Sequence, residues 1–384
     1  MTGSADRTGH PGSAGRAEPA TAGALTLVPL HGMGEVERGA DLGALVLAAL
    51  AAQDLALQDG DVLVVSSKVV SKSLGLREQA PDRDHVVLQQ SRRIVAERRG
   101  PAGTTRVVES AAGPVVAAAG VDASNTGPGA GLLLLPTDPD LAARSVYAAL
   151  LTAHAPAPLP LIGVVLSDTA GRPWREGQTD FALGACGVAV LDDLRGGVDV
   201  DGRALSVTAR ALADEIAAAA DLVKGKTLGV PVALLRGLPE GTVGSPGLPG
   251  ASGLVRTGPG DWFAFGAAEA VRAALGAPPG SPEAEAVGIA SVLPEDDEVR
   301  LARAIRLALL DVAGEARAEP GEANRSYVTF RAGELSVRAA RAESGALHLE
   351  VHTSDPFLAG RVSARLEVAL HSEALGGLRV RVHH

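Results

Sequence analysis

The sequence has few aromatic side chains, since Phe, Trp and Tyr make up 2% of its 384 residues while 46% are hydrophobic. Its core is therefore predicted to consist of Ala, Val and Leu, a bias that indicates no activity. The formal net charge is -10, and no long basic block is present. Neither nucleic acid nor an anionic membrane is therefore expected as the main partner.

Cysteine is also scarce, because Cys186 is the only one in the sequence. A single cysteine excludes an internal disulfide and fits a reducing cytoplasm. Cys186 stands among small residues without a neighbouring histidine, so we expect a buried hydrophobe and no nucleophile.

The sequence contains no run of about 18 uncharged apolar residues, so no transmembrane helix is predicted. Residues 1–23 lack the apolar core of a secretory signal and are expected to form a disordered tail.

Familiar catalytic and phosphate-binding motifs are missing as well. The segment Gly225-Lys226-Thr227 has Ala220 where a Walker loop needs glycine, and it follows a predicted helix instead of a strand. The segment "GMGEVERG" does not match the dinucleotide fingerprint. The sequence also contains no H-E-x-x-H, no paired C-x-x-C and no G-x-S-x-G motif.

The order of predicted strands and helices is irregular, which indicates an α+β fold with a mixed sheet and not a regular βαβ alternation. Residues 238–260 are dense in glycine and proline and mark the best domain boundary. The predicted units are the tail (1–23), an α+β domain (24–240), a Gly/Pro-rich linker with a short helix (241–294) and a small α/β domain (295–384).

Charged residues are concentrated in "SRRIVAERR", Ser91 to Arg99. The hydrophobic periodicity from Asp82 to Arg99 predicts a helix. At helical spacing these charges are interpreted as a solvated face, with an anion-binding patch as the less favoured alternative.

Polar side chains follow several predicted strands. Asp122, Ser124 and Asn125 come after the small residues "AAAG", where they offer two oxygens and an amide in a tight turn. The alternative interpretation is an Asx-turn that satisfies only its own backbone. Asp168 and Thr169 end the predicted strand "LIGVVLSDT", where they can hold a hard cation or simply cap the strand end.

Cationic side chains accompany these carboxylates. Arg172 and Arg175 lie in the polar stretch "SDTAGRPWREGQTD", which is predicted to be a loop, and can clamp phosphate or carboxylate. In "SSKVVSK", Ser67 and Lys68 end a buried strand, and Lys72 follows in a predicted polar turn. Acidic ligands, a divalent cation and lysines are typical of phosphoryl transfer. The residues alone therefore indicate a metal- and nucleotide-dependent transferase or ligase.

Six segments follow one another along residues 25–239. They are "DGDVLVVSSKVVSK", "AAAGVDASN", "LLLLPTDPDLAAR", "VVLSDTAGRPWREGQTDFALGACG", "VTARALADEIAAAADLVKGK" and "GVPVALLRGLP". Together and in this order they resemble the coenzyme F420-0:L-glutamate ligase (F420:gamma-glutamyl ligase) family, in its actinobacterial branch.

The resemblance implies a GTP-dependent ligase of coenzyme F420 biosynthesis. The terminal carboxylate of coenzyme F420-0 would be phosphorylated, and the amine of L-glutamate would attack the acyl phosphate to form an amide. Later cycles can add further glutamates through γ-linkages. The resemblance also implies Mg²⁺ or Mn²⁺, admits K⁺, and implies a cytoplasmic homodimer.

The same resemblance implies the roles of individual residues. Those of the nucleotide site are Met33, Gly34, Glu35, Val36, Ser67, Lys72 and Asn125. Those of the metal site are Asp122, Asp168 and Thr169. Arg172, Arg175 and Gln178 are predicted to bind substrate anions. This prediction comes from the chemistry of their side chains and not from the resemblance.

The chain departs from the family pattern at three positions. Gly34 replaces a proline, Ala118 an asparagine of archaeal members, and Lys226 an acidic residue, so no metal ligand is predicted in "VKGKTLG". Actinobacterial relatives often carry an FMN-binding domain, and "GDWFAFGAAEAVRAALG" resembles the segment that leads into it. The Arg-rich opening of that domain does not follow, so no FMN is expected, and a packing or dimer-supporting role is assigned to the terminal unit. The alternative functions are a catalytically inactive nucleotide-binding accessory protein and a related ligase for another carboxylate-bearing cofactor.

Overall fold

The computed structural model describes residues 23–80, 82–124, 126–127, 131–310, 312, 317–319, 329–341 and 347–383. Most of the predicted tail and Asn125 lie outside these residues. The helices are α1 (Leu42–Ala51), α2 (Ser67–Leu74), α3 (Arg83–Gln89), α4 (Pro139–His154), α5 (Leu212–Lys224), α6 (Ala267–Ala274), α7 (Pro282–Val287), α8 (Asp297–Leu309) and α9 (Pro356–Ser372).

The strands of the first half are β1 (Thr26–Leu30), β2 (Val62–Ser66), β3 (Arg77–Glu78), β4 (Ser91–Gly100), β5 (Gly103–Ser110), β6 (Val115–Ala117), β7 (Leu132–Leu133) and β8 (Gly163–Arg172). Those of the second half are β9 (Arg175–Cys186), β10 (Asp192–Asp193), β11 (Ala209–Arg210), β12 (Val232–Arg236), β13 (Arg317–Glu319), β14 (Thr329–Ala332), β15 (Leu335–Arg341), β16 (Leu347–His352) and β17 (Arg379–His383).

A mixed sheet of order β1-β12-β2-β8-β9 forms the centre of the larger domain. Strands β2 and β8 run parallel, and the other neighbouring pairs are antiparallel. Alternate side chains of β2 point to opposite faces, as the pleat requires. Leu63 and Val65 pack with α1 and α4, whereas Val62 and Val64 pack with α5. The parallel pair is therefore buried on both faces, and its carboxyl ends open at one edge of the sheet.

The segment "SRRIVAERR" is a strand, so its prediction as a helix is wrong. Helix α3 ends at Gln89, and β4 pairs antiparallel with β5. Two of its charges pair across the sheet, because Arg93 Nε lies 3.2 Å from Glu109 Oε2 and Arg106 Nε lies 3.3 Å from Glu97 Oε2. The spacing of the charges suggested one face of a helix. In the structure some of the same charged residues form ion pairs with the neighbouring strand.

Residues 241–294, predicted as linker with a short helix, include α6 and α7 and pack against β4. The backbone N–H of Gly266 donates to the Val95 carbonyl at 2.9 Å, and that of Arg99 donates to the Ala290 carbonyl at 2.8 Å. Between these two contacts, Arg272 Nη2 of α6 lies 3.0 Å from Glu373 Oε1 of the terminal unit. The segment therefore connects the larger domain to the terminal unit through specific contacts.

The terminal unit is a sheet of order β13-β14-β15-β16-β17 with α8 and α9 packed on one face. Its apolar core contains Phe330, Val337, Leu349 and Val351. The predicted class, an α+β domain with a mixed sheet plus a small C-terminal α/β domain, is confirmed.

Cys186 is buried, as predicted. Among the described residues, every helix is too short or too polar to cross a membrane.

Candidate active site

A cavity of about 850 Å³ opens at the carboxyl ends of β2 and β8. Crevices at this edge of an α/β sheet are common ligand sites, and the volume suits a nucleotide-sized molecule. Its polar lining comes from the loop after β1, from α2, from the β8–β9 pair and from the segment after α5. The polar and charged side chains in this lining include Glu35, Lys68, Lys72, Asp168, Thr169, Asp180, Lys224, Lys226 and Thr227.

Helix α2 begins directly after β2, so the prediction of a polar turn in "SSKVVSK" is wrong. Ser66 occupies the N-cap position in an extended conformation, and Gly75 ends the helix at φ 70°. Lys68 and Lys72 are one helical turn apart and lie on the same face. Lys72 Nζ lies 2.6 Å from Glu35 Oε1. The helix thus places two lysines at the cavity.

Asp122 uses its two oxygens for different partners. Its Oδ1 accepts from the Ser124 backbone N–H at 2.7 Å, which is an Asx-turn, and its Oδ2 lies 2.7 Å from Lys68 Nζ. Burial opposes ionisation, but hydrogen bonds from Lys68 and Ser124 outweigh it and lower the pKa of Asp122. The Asx-turn and a role in cation binding are therefore compatible for Asp122. The turn orients its ionised carboxylate toward α2.

Asp168 lies beside Asp122 at a small cleft between α2 and β8. Ser67 Oγ donates to Asp168 Oδ1 at 3.1 Å. Burial of the carboxyl raises the pKa of Asp168 to about 6, and the negative charges of Asp180 and Asp122 add to this effect. The structure thus brings the predicted residues Ser67, Asp122 and Asp168 together and leaves Asp168 without a cationic partner among the described residues.

The stretch Ser167–Asp180 is a β-hairpin and not the predicted loop, because β8 continues to Arg172 and pairs with β9. At its base Thr169 stands opposite Asp180, and its Oγ1 donates to Asp180 Oδ1 at 2.7 Å. Ser167 Oγ donates to the other oxygen of Asp180 at 2.8 Å. Thr169 therefore lines the cavity and holds Asp180 in place.

Lys224 completes this network and was missed by sequence reasoning. Its Nζ donates to Ser167 Oγ at 2.6 Å and lies 2.7 Å from Asp180 Oδ2. Burial opposes ionisation of Asp180, but the charge and hydrogen bond of Lys224 lower its pKa. One signal was available, because Lys224 falls on the buried stripe of α5 with Ala213, Ala217 and Ala220. A lysine in an apolar stripe needs a partner.

The tip of the hairpin does not reach the cavity. Arg172 and Arg175 are exposed, outside the residues that line it, and so is Gln178. Arg172 donates to the Glu176 carbonyl at 3.4 Å, which is a contact within the tip. Trp174 is 84% exposed and meets the ring of Phe263 edge to face at 5.4 Å. The hairpin is therefore divided into a buried base at the cavity and an exposed tip.

The loop after β1 forms another wall. Met33 and Val36 are buried, and Gly34, Glu35 and Val36 line the cavity. Gly34 has φ 65°, a conformation that the proline of the family pattern cannot adopt. Gly127 closes against this loop, because a Cβ there would lie 2.2 Å from Glu35 Oε1.

The segment after α5 lines the cavity although it is not a Walker loop. Lys226 and Thr227 follow the C-terminus of α5 and precede β12, in the order that the sequence predicted. Lys226 is exposed and adds a third lysine to the rim, beside Lys68 and Lys72. The cavity thus combines carboxylates on one side with lysines from two elements.

Comparison with known proteins matches this part of the chain to one family. The sequence model described as F420-0:Gamma-glutamyl ligase matches residues 32–78 and 76–237. These residues include the loop after β1, helix α2, the β8–β9 hairpin and Lys224. Residues 238–384 lie outside the match.

Similar curated proteins carry the name coenzyme F420:L-glutamate ligase. The one from Halobacterium salinarum is 38% identical over 228 residues, which cover 54% of this chain and 85% of that protein. The Natronomonas pharaonis protein is 37% identical over 222 residues, 53% of this chain and 81% of its own length. The Methanopyrus kandleri protein is 39% identical over 212 residues, 50% of this chain and 81% of its own length.

Proposed function

The chain belongs to the F420-0:gamma-glutamyl ligase family, and on that premise we propose that it is a GTP-dependent ligase that joins L-glutamate to coenzyme F420-0. The reaction serves coenzyme F420 biosynthesis and forms an amide, and further γ-linked glutamates can follow. The observation that carries this proposal is that Asp168, Lys68 and Lys72 line the cavity, while Asp122 lies with Asp168 at the adjoining cleft, 2.7 Å from Lys68 Nζ. Lysines beside paired carboxylates suit a nucleotide triphosphate with a divalent cation.

The donors Asp122, Asp168 and Thr169 fit Mg²⁺ or Mn²⁺, because each offers an oxygen. Thr169 donates its proton to Asp180, so the lone pairs of its hydroxyl oxygen are available to an ion. The raised pKa of Asp168 reflects burial and two neighbouring carboxylates, a cost that positive charge would offset. A bound divalent cation would neutralise the charge that builds on the transferred phosphoryl group. The family resemblance is our basis for K⁺ as an additional ion.

The proposed reaction has two steps. A carboxylate oxygen of coenzyme F420-0 attacks the γ-phosphorus of GTP, the bond to the bridging oxygen breaks, and GDP leaves. The neutral amine of L-glutamate then attacks the carbonyl carbon of the acyl phosphate. A C–N bond forms, the C–O bond to phosphate breaks, and the amine loses one proton. The protein contributes mainly position and charge to both steps.

Individual residues have distinct proposed roles. Lys72 and Lys68 pair with Glu35 and Asp122 in the free protein and would exchange these partners for phosphate oxygens. Gly34 offers its backbone to the nucleotide, without a side chain in the way. Asp180 and Lys224 act as positioning residues, because they hold Thr169 and Ser167 at the base of the hairpin.

The test is direct turnover. The purified chain is incubated with GTP, Mg²⁺ or Mn²⁺, L-glutamate and coenzyme F420-0, and the products are analysed by mass spectrometry. We expect GDP, phosphate and a product heavier by one glutamyl unit. No product with either metal would contradict the ligase. GTP binding without turnover would instead identify an accessory protein, and turnover with a different carboxylate would identify a related ligase.

The substrate specificity of the nucleotide site is tested separately. We expect GTP to support turnover better than ATP, and no requirement for FMN.

A cytoplasmic location is part of the proposal, since Cys186 is a free thiol.

We also propose a homodimer, in which a second copy covers the exposed hairpin tip. Trp174 and Trp262 are 84% and 82% exposed, which leaves large apolar area on the surface of one chain. Light scattering after gel filtration is expected to give twice the mass of 38.7 kDa. Trp174→Ser is expected to shift the protein toward the monomer, and an unchanged dimer would assign the interface elsewhere.

A further inference from the structure

The terminal sheet carries histidines on the face opposite its helices. Strand β16 alternates, and Leu349 and Val351 pack into the core with α8 and α9. The intervening residues His348, Glu350 and His352 therefore share the other face. This face lies outside the family match and is not used by the proposed ligase reaction.

The neighbouring strand adds a further imidazole to this row. Strand β17 runs parallel to β16, and its register places His383 opposite His352. The two rings are stacked, with centroids 4.6 Å apart and planes 12° apart. Glu350 Oε2 lies 3.6 Å from His352 Nε2. One ligand atom from each of Glu350, His352 and His383 lies within 4.8 Å of the others.

We propose that Glu350, His352 and His383 bind one divalent transition-metal ion of the Zn²⁺ class. Two imidazole nitrogens and one carboxylate oxygen are a common ligand set for such ions. Ligand atoms around one Zn²⁺ lie about 3.3 Å apart, given bonds of about 2.0–2.1 Å. Small side-chain rotations would close the present separations, because the His352 side chain is 43% exposed.

His348 supports this site as a positioning residue. Its Nε2 lies 3.1 Å from Glu350 Oε1, so it contacts the oxygen that does not approach His352. The side chain of His348 is buried, and its Nδ1 has no hydrogen-bond partner among the described residues. Outer partners of this kind orient a metal-binding carboxylate.

The surrounding charge selects the class of ion. Arg381 stands opposite Glu350 on β17, and Arg379 stands opposite His348. Arg338 stands opposite Glu350 on β15. These positive charges oppose a hard cation that binds by charge alone, such as Mg²⁺ or Ca²⁺. An ion that forms strong bonds to imidazole tolerates them better.

The test uses the untagged full-length chain, stripped of metal. Zn²⁺ is titrated in competition with a chromophoric chelator, in excess Mg²⁺ so that the site at Asp122 and Asp168 is occupied. We expect one Zn²⁺ per chain, and at least about tenfold weaker binding in His352→Gln and in His383→Gln. His85→Gln is the matched control, because His85 is also exposed and lies on α3. It is expected to bind Zn²⁺ like the parent.

Three results would overturn the site. The parent chain binds no Zn²⁺, or both variants bind as tightly as His85→Gln, or binding is lost only in Asp122→Asn and Asp168→Asn. Thermal melts of the metal-free variants are expected to match the parent, since both replaced histidines are at least partly exposed. Co²⁺ provides an independent signal, because its visible absorption bands report imidazole coordination and are expected to disappear in the same two variants. Ligase turnover in Mg²⁺ is not needed for this test, so it stands apart from the proposed function.

Discussion

The base and the tip of the β8–β9 hairpin have similar polar composition but different environments. At the base Asp180 is 5% exposed and is held by Ser167, Thr169 and Lys224. At the tip Trp174 is 84% exposed, and the arginines lie outside the cavity lining. The carboxylate of Asp180 is therefore buried and hydrogen-bonded through both oxygens at one end of the hairpin, whereas the arginines at the other end are solvated. Substitutions at the two ends are expected to differ accordingly.

The largest expected effect is on turnover at the base. Asp168→Asn removes a carboxylate from the proposed metal site, and we expect kcat to fall on the order of 10³-fold or more. Steady-state assays with saturating Mg²⁺ measure this loss. Asp122→Asn is expected to behave alike, and near-parental activity in either variant would contradict the assignment of the metal site.

Stability provides the control for this substitution. The pKa of Asp168 is raised from 3.8 to about 6, so the folded state retains a proton that the unfolded state releases. The carboxyl therefore lowers stability as pH rises from about 4 to 6, and the cost persists above pH 6. At pH 8 we expect Asp168→Asn to be more stable than the parent by about 1–3 kcal/mol. Urea denaturation at pH 8 and pH 4 checks the sign, and the difference is expected to shrink at pH 4.

The second effect is on the free energy of unfolding. Lys224→Met leaves Asp180 buried without its cationic partner, which is expected to cost about 3–5 kcal/mol. Lys226→Met is the matched control, because Lys226 is exposed two residues further on, and a change within about 0.5 kcal/mol is expected there. Equal losses in the two variants, measured by urea denaturation, would show that the buried pair has no special role.

The third effect concerns pH and metal affinity. Protonation of Asp168 competes with a cation, so Mg²⁺ affinity is expected to fall as pH drops below about 6. Calorimetric titrations between pH 5 and pH 8 measure the change. Asp122 has a lowered pKa and is expected to contribute little in that range. A flat profile would show that Asp168 does not bind the ion.

The smallest effect is expected at the tip. Arg172→Gln and Arg175→Gln replace exposed side chains, so the free energy of unfolding is expected to change by less than about 0.5 kcal/mol. If these arginines serve substrate anions, as proposed from the sequence, KM for coenzyme F420-0 rises while Mg²⁺ affinity stays at the parental value. Unchanged KM in both variants would remove the arginines from the proposed site.

Several residues that the sequence singled out lie at the candidate site. Lys68 and Lys72 of α2, Asp122 after a run of small residues and Asp168 at the end of a buried strand all lie at the cavity or its cleft. The α+β class was also correct. Errors arose where a local pattern has two solutions, as in β4, where the spacing of the charges fits either a helical face or cross-strand pairs.

The remaining features depend on contacts between distant positions. Lys224 and Asp180 are 44 positions apart, and only the packing of α5 on the sheet makes them partners. His383 gains its position beside His352 from the parallel register of β17. Neither of these two contacts can be predicted from the spacing of the residues along the chain.

The sequence by itself determined the family and the chemical groups of the site, because those groups stand in ordered segments that resemble one family over most of the larger domain. Tertiary structure alone decided how "SDTAGRPWREGQTD" is divided. Strand pairing extends β8 past the sheet edge, so burial ends within the stretch, between Asp180 and the exposed tip. Burial depends on what packs against a residue, and that is a property of the folded chain.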